Sequence, residues 1–179
     1  MKQLPKIYPI KVNFEIPVSE KLKLKRFVNL FIIEGEKLHL IDSGVAPAFD
    51  AIQNFLNGLG REITDIQNIL LTHSHPDHIG AAKLLVEKTD CKIIAPNLEI
   101  EMIENTVLQN QKRPVPGFNK LVSGPVKVDR SIRGTENIQL ENDIVINKYP
   151  NSRSFTRINF LLFGKLENTF LGRFNFITW

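Results

Sequence analysis

Three of the four histidines of this 179-residue chain, His73, His75 and His78, fall within six positions, with Asp77 among them. Imidazole nitrogen and carboxylate oxygen suit zinc, and four such donors close together have the composition of a metal centre. His73 and His75 are two apart at the end of an extended segment, so their rings leave the backbone on the same side. The chain turns at Pro76, and Asp77 and His78 then open a helix from which they can face the same cavity. Two neighbouring ions suit this spacing, one on His73 and His75 and the other on Asp77 and His78. Each pair leaves its ion short of tetrahedral coordination. Further ligands must come from elsewhere in the fold, with a bridging water. The other use of such residues is a polar loop capping a helix, which needs one polar side chain rather than four convergent donors. His39 lies on a strand outside the cluster and reads as structural.

The elements around the cluster follow from the apolar pattern. Residues 29–33 read as a buried strand, 34–37 as a turn and 38–41 as a returning strand, closed by Asp42-Ser43-Gly44. A helix opens near Pro47, a residue suited to a first helical turn. Phe49, Ile52, Phe55 or Leu56, and Leu59 recur at helical spacing up to Gly60. Residues 66–71 form a strand that runs into the histidine cluster. A helix from about His78 carries Ile79, Ala82 and Val86 on one face. A short strand at 92–95, a helix at 98–104, a Pro- and Gly-rich loop at 112–126, and strands at 138–140 and 144–146 complete the pattern. This order is that of a mixed α/β domain with one core.

The composition, 42% hydrophobic and 23% charged, is that of a globular protein large enough to fold without a disulfide or a structural metal. Cys91 is the single cysteine, which excludes an internal disulfide and a cysteine-based zinc site. The net charge of +4 is mild, and the run Lys21, Lys23, Lys25 and Arg26 reads as a solvated strand edge rather than a nucleic-acid patch. The first fourteen residues do not read as a signal peptide, and no apolar run approaches membrane-spanning length. A cytoplasmic location is expected, with neither a membrane nor a nucleic acid as partner.

The string Thr72-His73-Ser74-His75-Pro76-Asp77-His78-Ile79-Gly80 resembles the T-H-x-H-x-D-H-x-G signature of the metallo-β-lactamase superfamily. The segment 29–41 followed by Asp42-Ser43-Gly44 resembles that family's opening hairpin and D-[ST]-G turn. The resemblance covers roughly residues 25 to 150. It implies an αββα sandwich with a two-zinc site at the rim of its sheets, bound by His73, His75, Asp77 and His78. It also implies that Asp42 lies behind the ligands and holds them by hydrogen bonds. In family terms Asp77 is the catalytic residue, both a metal ligand and the group that orients the attacking hydroxide. The activity implied is zinc-dependent hydrolysis of an ester, thioester, lactone or amide carbonyl in a small-molecule substrate.

After residue 150 the sequence departs from the pattern. The family supplies a third histidine from a T-P-G-H-S-x-G-S segment, a bridging aspartate from an [ST]-G-D segment, and a final histidine. Here no histidine follows His78. The corresponding stretches read Pro150-Asn151-Ser152-Arg153-Ser154-Phe155 and Phe170-Leu171-Gly172-Arg173. Residues 151–179 also hold six of the twelve phenylalanines and a single acidic residue, Glu167. Codons that encode residues 151–162, read one base later, can spell T-P-G-H-S-P-G-S-I-S-F. Those for 169–174 can spell L-F-S-G-D. Both absent motifs return, in order.

A single-base change near codon 150 is therefore expected, with 1–150 the N-terminal part of the domain and 151–179 its divergent or out-of-frame tail. Natural divergence, with Ser152 and Arg173 as true replacements, is the other origin. Either way the sandwich is expected to be incomplete in its C-terminal half. Arg173 in place of a bridging carboxylate would put positive charge where two dications need a negative one. At most one weakly bound zinc and impaired hydrolysis follow. The alternative is a non-catalytic, truncated remnant with weak metal binding.

Overall fold

Alternating apolar residues build the first strand, β1 (Lys6–Pro17). Ile10 and Val12 are buried, and Tyr8, Phe14 and Ile16 pack against the same core. This period of two marks a strand with one covered face, yet it is absent from the elements expected above. The computed structural model describes residues 5–141, 144–150, 158–164 and 169–175, and from residue 147 onward the backbone alone.

β1 pairs antiparallel with β2 (Lys23–Glu34) from Lys6↔Glu34 to Pro17↔Lys23. The basic run lies exposed on the far arm of this hairpin. It is not at the sheet edge, because β1 covers that side of β2. β3 (Leu38–Ile41) pairs antiparallel with β2 and parallel with β4 (Ile66–Leu70), reached through α1 (Ala48–Gly58). β4 pairs parallel with β5 (Lys92–Pro96), reached through α2 (Pro76–Ile79) and α3 (Ala82–Thr89). After α4 (Ile100–Glu104), α5 (Thr106–Lys112) and α6 (Phe118–Leu121), β6 (Arg130–Ile132) closes a six-stranded sheet of order β1-β2-β3-β4-β5-β6. A second, antiparallel sheet runs β10 (Thr169–Asn175), β9 (Ile158–Gly164), β8 (Ile144–Pro150), β7 (Asn137–Glu141).

The central strands carry two apolar residues in succession: Ile32 and Ile33, Leu40 and Ile41, Ile69 and Leu70, Ile93 and Ile94. Neighbours in a strand face opposite ways. The first of each pair joins the core under the helices, with Ile52, Leu56 and Leu85. The second joins a core between the sheets, with Ile132, Ile138, Ile144 and Ile146. Both faces are covered, which explains runs that do not alternate. The layers are helix, sheet and sheet. The helices among the described residues fall between positions 48 and 121 and belong to one side of the sandwich.

Several boundaries differ from the sequence pattern. Leu59 caps α1 half-exposed, so Leu56 takes the inward position. The helix expected from His78 breaks into α2 and α3, because the Gly80 carbonyl accepts from Ser123 N (2.9 Å) and Oγ (2.6 Å). The Pro- and Gly-rich stretch contains α6, whose Phe118 and Leu121 are buried. Residues 160–163 lie within β9.

His39 is structural, as expected. Its ring is fully buried on β3, with Nε2 3.0 Å from Glu141 Oε1 on β7 and Nδ1 3.0 Å from Asn68 Nδ2. The Glu141 carboxylate also accepts from Glu36 N (2.9 Å) and Lys37 N (2.8 Å). One carboxylate thus ties the second sheet to the β2–β3 turn of the first.

Candidate metal centre

The C-terminal ends of three adjacent parallel strands form one rim, the usual location of ligands in sheets of this kind. Asp42 follows β3, the segment 72–75 follows β4, and Glu99 follows β5. Asp42 holds a left-handed backbone (φ 58°), a conformation that Asp tolerates better than most residues. Its N–H donates to the Leu70 carbonyl (2.9 Å), which seats the turn against β4.

Asp42 is wholly buried and its carboxylate serves two histidines. Oδ2 lies 2.7 Å from His78 Nδ1. The Thr72 N–H donates to Oδ1 (2.8 Å), and the Thr72 hydroxyl donates to the same carboxylate (2.8 Å to Oδ2). With its proton committed there, Thr72 Oγ1 accepts from His73 Nδ1, 2.8 Å away. Both rings therefore carry hydrogen on Nδ1, and Nε2 is left with its lone pair. His73 Nε2 is buried with no hydrogen-bond partner among the described residues. A buried polar atom without a partner is costly, and a bound cation would satisfy this one. The Thr72 role had no counterpart in the sequence reading, although the residue precedes the cluster directly.

The imidazoles sit together. His73 and His75 have ring centroids 4.6 Å apart, and His73 and His78 are 4.0 Å apart. Asp77 Oδ2 is 3.6 Å from His78 Nε2, and its side chain is partly open to solvent. Burial, with His78 and His75 nearby, holds His73 well below the ordinary imidazole range, so it is neutral and able to bind a cation. Burial also lowers His75, against the pull of Asp77. Burial works downward on His78 as well, but the Asp42 carboxylate outweighs it and the net shift is upward. A more basic imidazole is a better metal ligand.

Ser74, between the two histidines, is held from the other side. Its N–H and hydroxyl both donate to Glu99 Oε2 (3.1 and 2.6 Å), and its carbonyl accepts from Gln109 Nε2. Arg113 Nη1 reaches the Ser74 hydroxyl at 3.2 Å. These three partners carry no signal in sequence, being isolated polar residues 25 to 39 positions away.

The donor chemistry fits a zinc-type cation: neutral imidazoles, one carboxylate and an unpartnered Nε2. The shell stays open, because among the described residues no group of three or more His, Cys, Asp and Glu side chains is gathered closely enough to hold an ion. Residues 151–155 lie outside the described residues, and the Arg173 side chain is not described.

Fold and rim together are those of an α/β sandwich with a candidate metal centre at its strand ends. The profile of the metallo-beta-lactamase superfamily matches residues 25–149, and the chain belongs to that superfamily. It is 29% identical over 109 residues to the probable metallo-hydrolase YybB of Bacillus subtilis, covering 61% of this chain and 44% of that protein. It is 38% identical over 65 residues to the hydroxyacylglutathione hydrolase of Rhodopseudomonas palustris, covering 35% and 26%. The fold matches BJP-1, a subclass B3 metallo-beta-lactamase of Bradyrhizobium japonicum, with a TM-score of 0.64 at 20% identity, over 80% of this chain and 53% of that one. The chain spans less than half the length of these two curated relatives. No helix among the described residues is long and apolar enough to cross a membrane.

Proposed function

We propose that this chain carries the front half of a zinc-dependent hydrolase centre, with His73 and His75 as ligands of one ion and Asp77 and His78 as ligands of a second. The observation that carries this reading is the buried Nε2 of His73, fixed as a lone pair by the Asp42–Thr72–His73 chain and left without a partner. Asp42 is the residue behind the ligands, touching His78 directly and His73 through Thr72. Zinc held there would supply a Lewis acid that polarises a carbonyl and acidifies water. Asp77, whose side chain is partly open to solvent, is assigned the role of orienting the attacking hydroxide as well as binding metal.

The substrate proposed is a small molecule with an ester, thioester, lactone or amide carbonyl. Similarity to a hydroxyacylglutathione hydrolase favours a thioester. Neither nucleic acid nor membrane is proposed as a partner, and the proposed location is the cytoplasm.

Activity is proposed to be impaired. No histidine stands between His78 and Trp179, and the stretch corresponding to the family's T-P-G-H-S segment reads Asn151-Ser152-Arg153-Ser154. One weakly held zinc at most is expected. The second reading, a non-catalytic remnant that binds metal weakly, rests on the same observation. Zinc titration by calorimetry, with turnover of a generic ester and a thioester, tests both. One weak site with slow turnover supports the first reading, and one weak site without turnover the second. Two tight sites would refute the claim of impairment, and no binding at all would refute the metal centre.

A further inference from the structure

His73 and His78 are each oriented by a hydrogen bond to their own ring. His75 has no such bond among the described residues, so its direction depends on the backbone that carries it. That backbone is held at Ser74, which is fully buried and whose every polar group is taken. Its N–H belongs to the peptide joining residues 73 and 74, and donates to Glu99 Oε2 at 3.1 Å. Its carbonyl belongs to the peptide joining 74 and 75, and accepts from Gln109 Nε2. Its hydroxyl donates to Glu99 Oε2 at 2.6 Å, and the hydroxyl oxygen receives Arg113 Nη1 at 3.2 Å. Arg113 Nη1 in turn stands 3.6 Å from Glu99 Oε2, which keeps the nearly buried carboxylate in place. Glu99 is itself fixed, because its N–H donates to the Pro96 carbonyl at 3.0 Å, at the end of β5.

We propose that Glu99, assisted by Gln109 and Arg113, is the positioning residue for His75: Glu99 fixes the 73–74 peptide and the Ser74 side chain, and Gln109 holds the 74–75 peptide that carries the ligand. Asp42 orders the ligand set from β3 and Glu99 orders it from β5, with the β4 loop clamped between them. This rests on the metal centre proposed above. Partners behind a metal ligand typically cost ~10- to 100-fold in metal affinity when removed.

The test compares Glu99→Ala and Glu99→Gln with the wild-type chain, using histidine labelled with nitrogen-15 and cobalt(II) alone as the metal probe. All measurements are made well below each protein's unfolding midpoint. In metal-free Glu99→Ala the His75 ring resonances are expected to move while those of His39 stay. Cobalt affinity should fall ~10- to 100-fold. Glu99→Gln keeps an oxygen that accepts from Ser74 and should recover most of that loss. Unmoved His75 resonances overturn the proposal, as does undiminished cobalt affinity, or a glutamine variant as weak as the alanine one. Should Glu99→Ala fail to fold, Gln109→Leu removes the Ser74 carbonyl bond and should shift both readouts in the same direction. A wild-type chain that takes no cobalt sinks the metal centre alone, and the ring resonances still decide the role of Glu99.

Discussion

Asp42 Oδ2 lies 2.7 Å from His78 Nδ1, and the same buried carboxylate takes the Thr72 hydroxyl that orients His73. One side chain just after β3 therefore sets the tautomer of two histidines, on the loop after β4 and on α2. Asn in place of Asp42 tolerates the left-handed backbone and still offers an oxygen to Thr72. Its amide N–H₂ would face His78 Nδ1–H, donor against donor, and the ring would move its hydrogen to Nε2. Asp42→Asn is expected to weaken zinc binding ~10- to 100-fold. Calorimetric titration checks this, and equal affinity in the two proteins would remove Asp42 from the proposed machinery.

Gly80 is the last residue of the signature, and packing explains why nothing larger fits. A Cβ there would meet the Leu121 carbonyl oxygen and come within 2.6 Å of Val45 Cα and 2.7 Å of Ala46 N. All three are backbone atoms, which cannot swing aside. Gly80→Ala is expected to destabilise the fold by about 1–3 kcal/mol, the usual cost of overpacking. The urea midpoint should fall accordingly. An unchanged midpoint would show that α2 and the 121–123 segment separate freely.

The His39–Glu141 contact predicts a pH dependence. Burial, only partly offset by Glu141, lowers His39 below its ordinary value of 6.5. The folded state therefore binds fewer protons than the unfolded one as pH falls through 6.5, and stability is lost from there downward. Burial alone would raise Glu141, but the N–H groups of Lys37 and Glu36 and the His39 ring outweigh it and lower the carboxyl below 4.5. Its contribution is present above 4.5 and disappears below. Both groups act in the same direction. Replacing His39 by Gln should flatten the decline of the urea midpoint between about pH 6.5 and 5. His73 titrates in the same direction, so the difference between the proteins isolates His39. Parallel curves would exclude it as a source.

The tail predicts a result at the level of DNA. If a single-base change near codon 150 moved the frame, the shifted frame spells the T-P-G-H-S and S-G-D segments. A protein made from the restored frame should hold two zinc ions tightly and hydrolyse a generic ester. Nucleotide sequence lacking both segments, or a restored protein with no gain in zinc binding, would leave divergence as the origin.

The candidate cluster was legible because its residues are neighbours in sequence. His73, His75, Asp77 and His78 lie within six positions of a single strand-to-helix turn. The central strands were legible too, since Ile32–Ile33 and Ile69–Leu70 are apolar on both faces. The alternation in β1 is equally present, but a half-covered strand carries a weaker signal than a fully buried one. What only the tertiary structure decided were the groups that hold Ser74 and His39. Glu99, Gln109 and Arg113 reach Ser74 across 25 to 39 residues, and Glu141 reaches His39 across 102. A single polar residue carries no periodicity. Its partner is chosen by which strand ends share a rim and which sheets stack, and that choice is made by burial of the whole core.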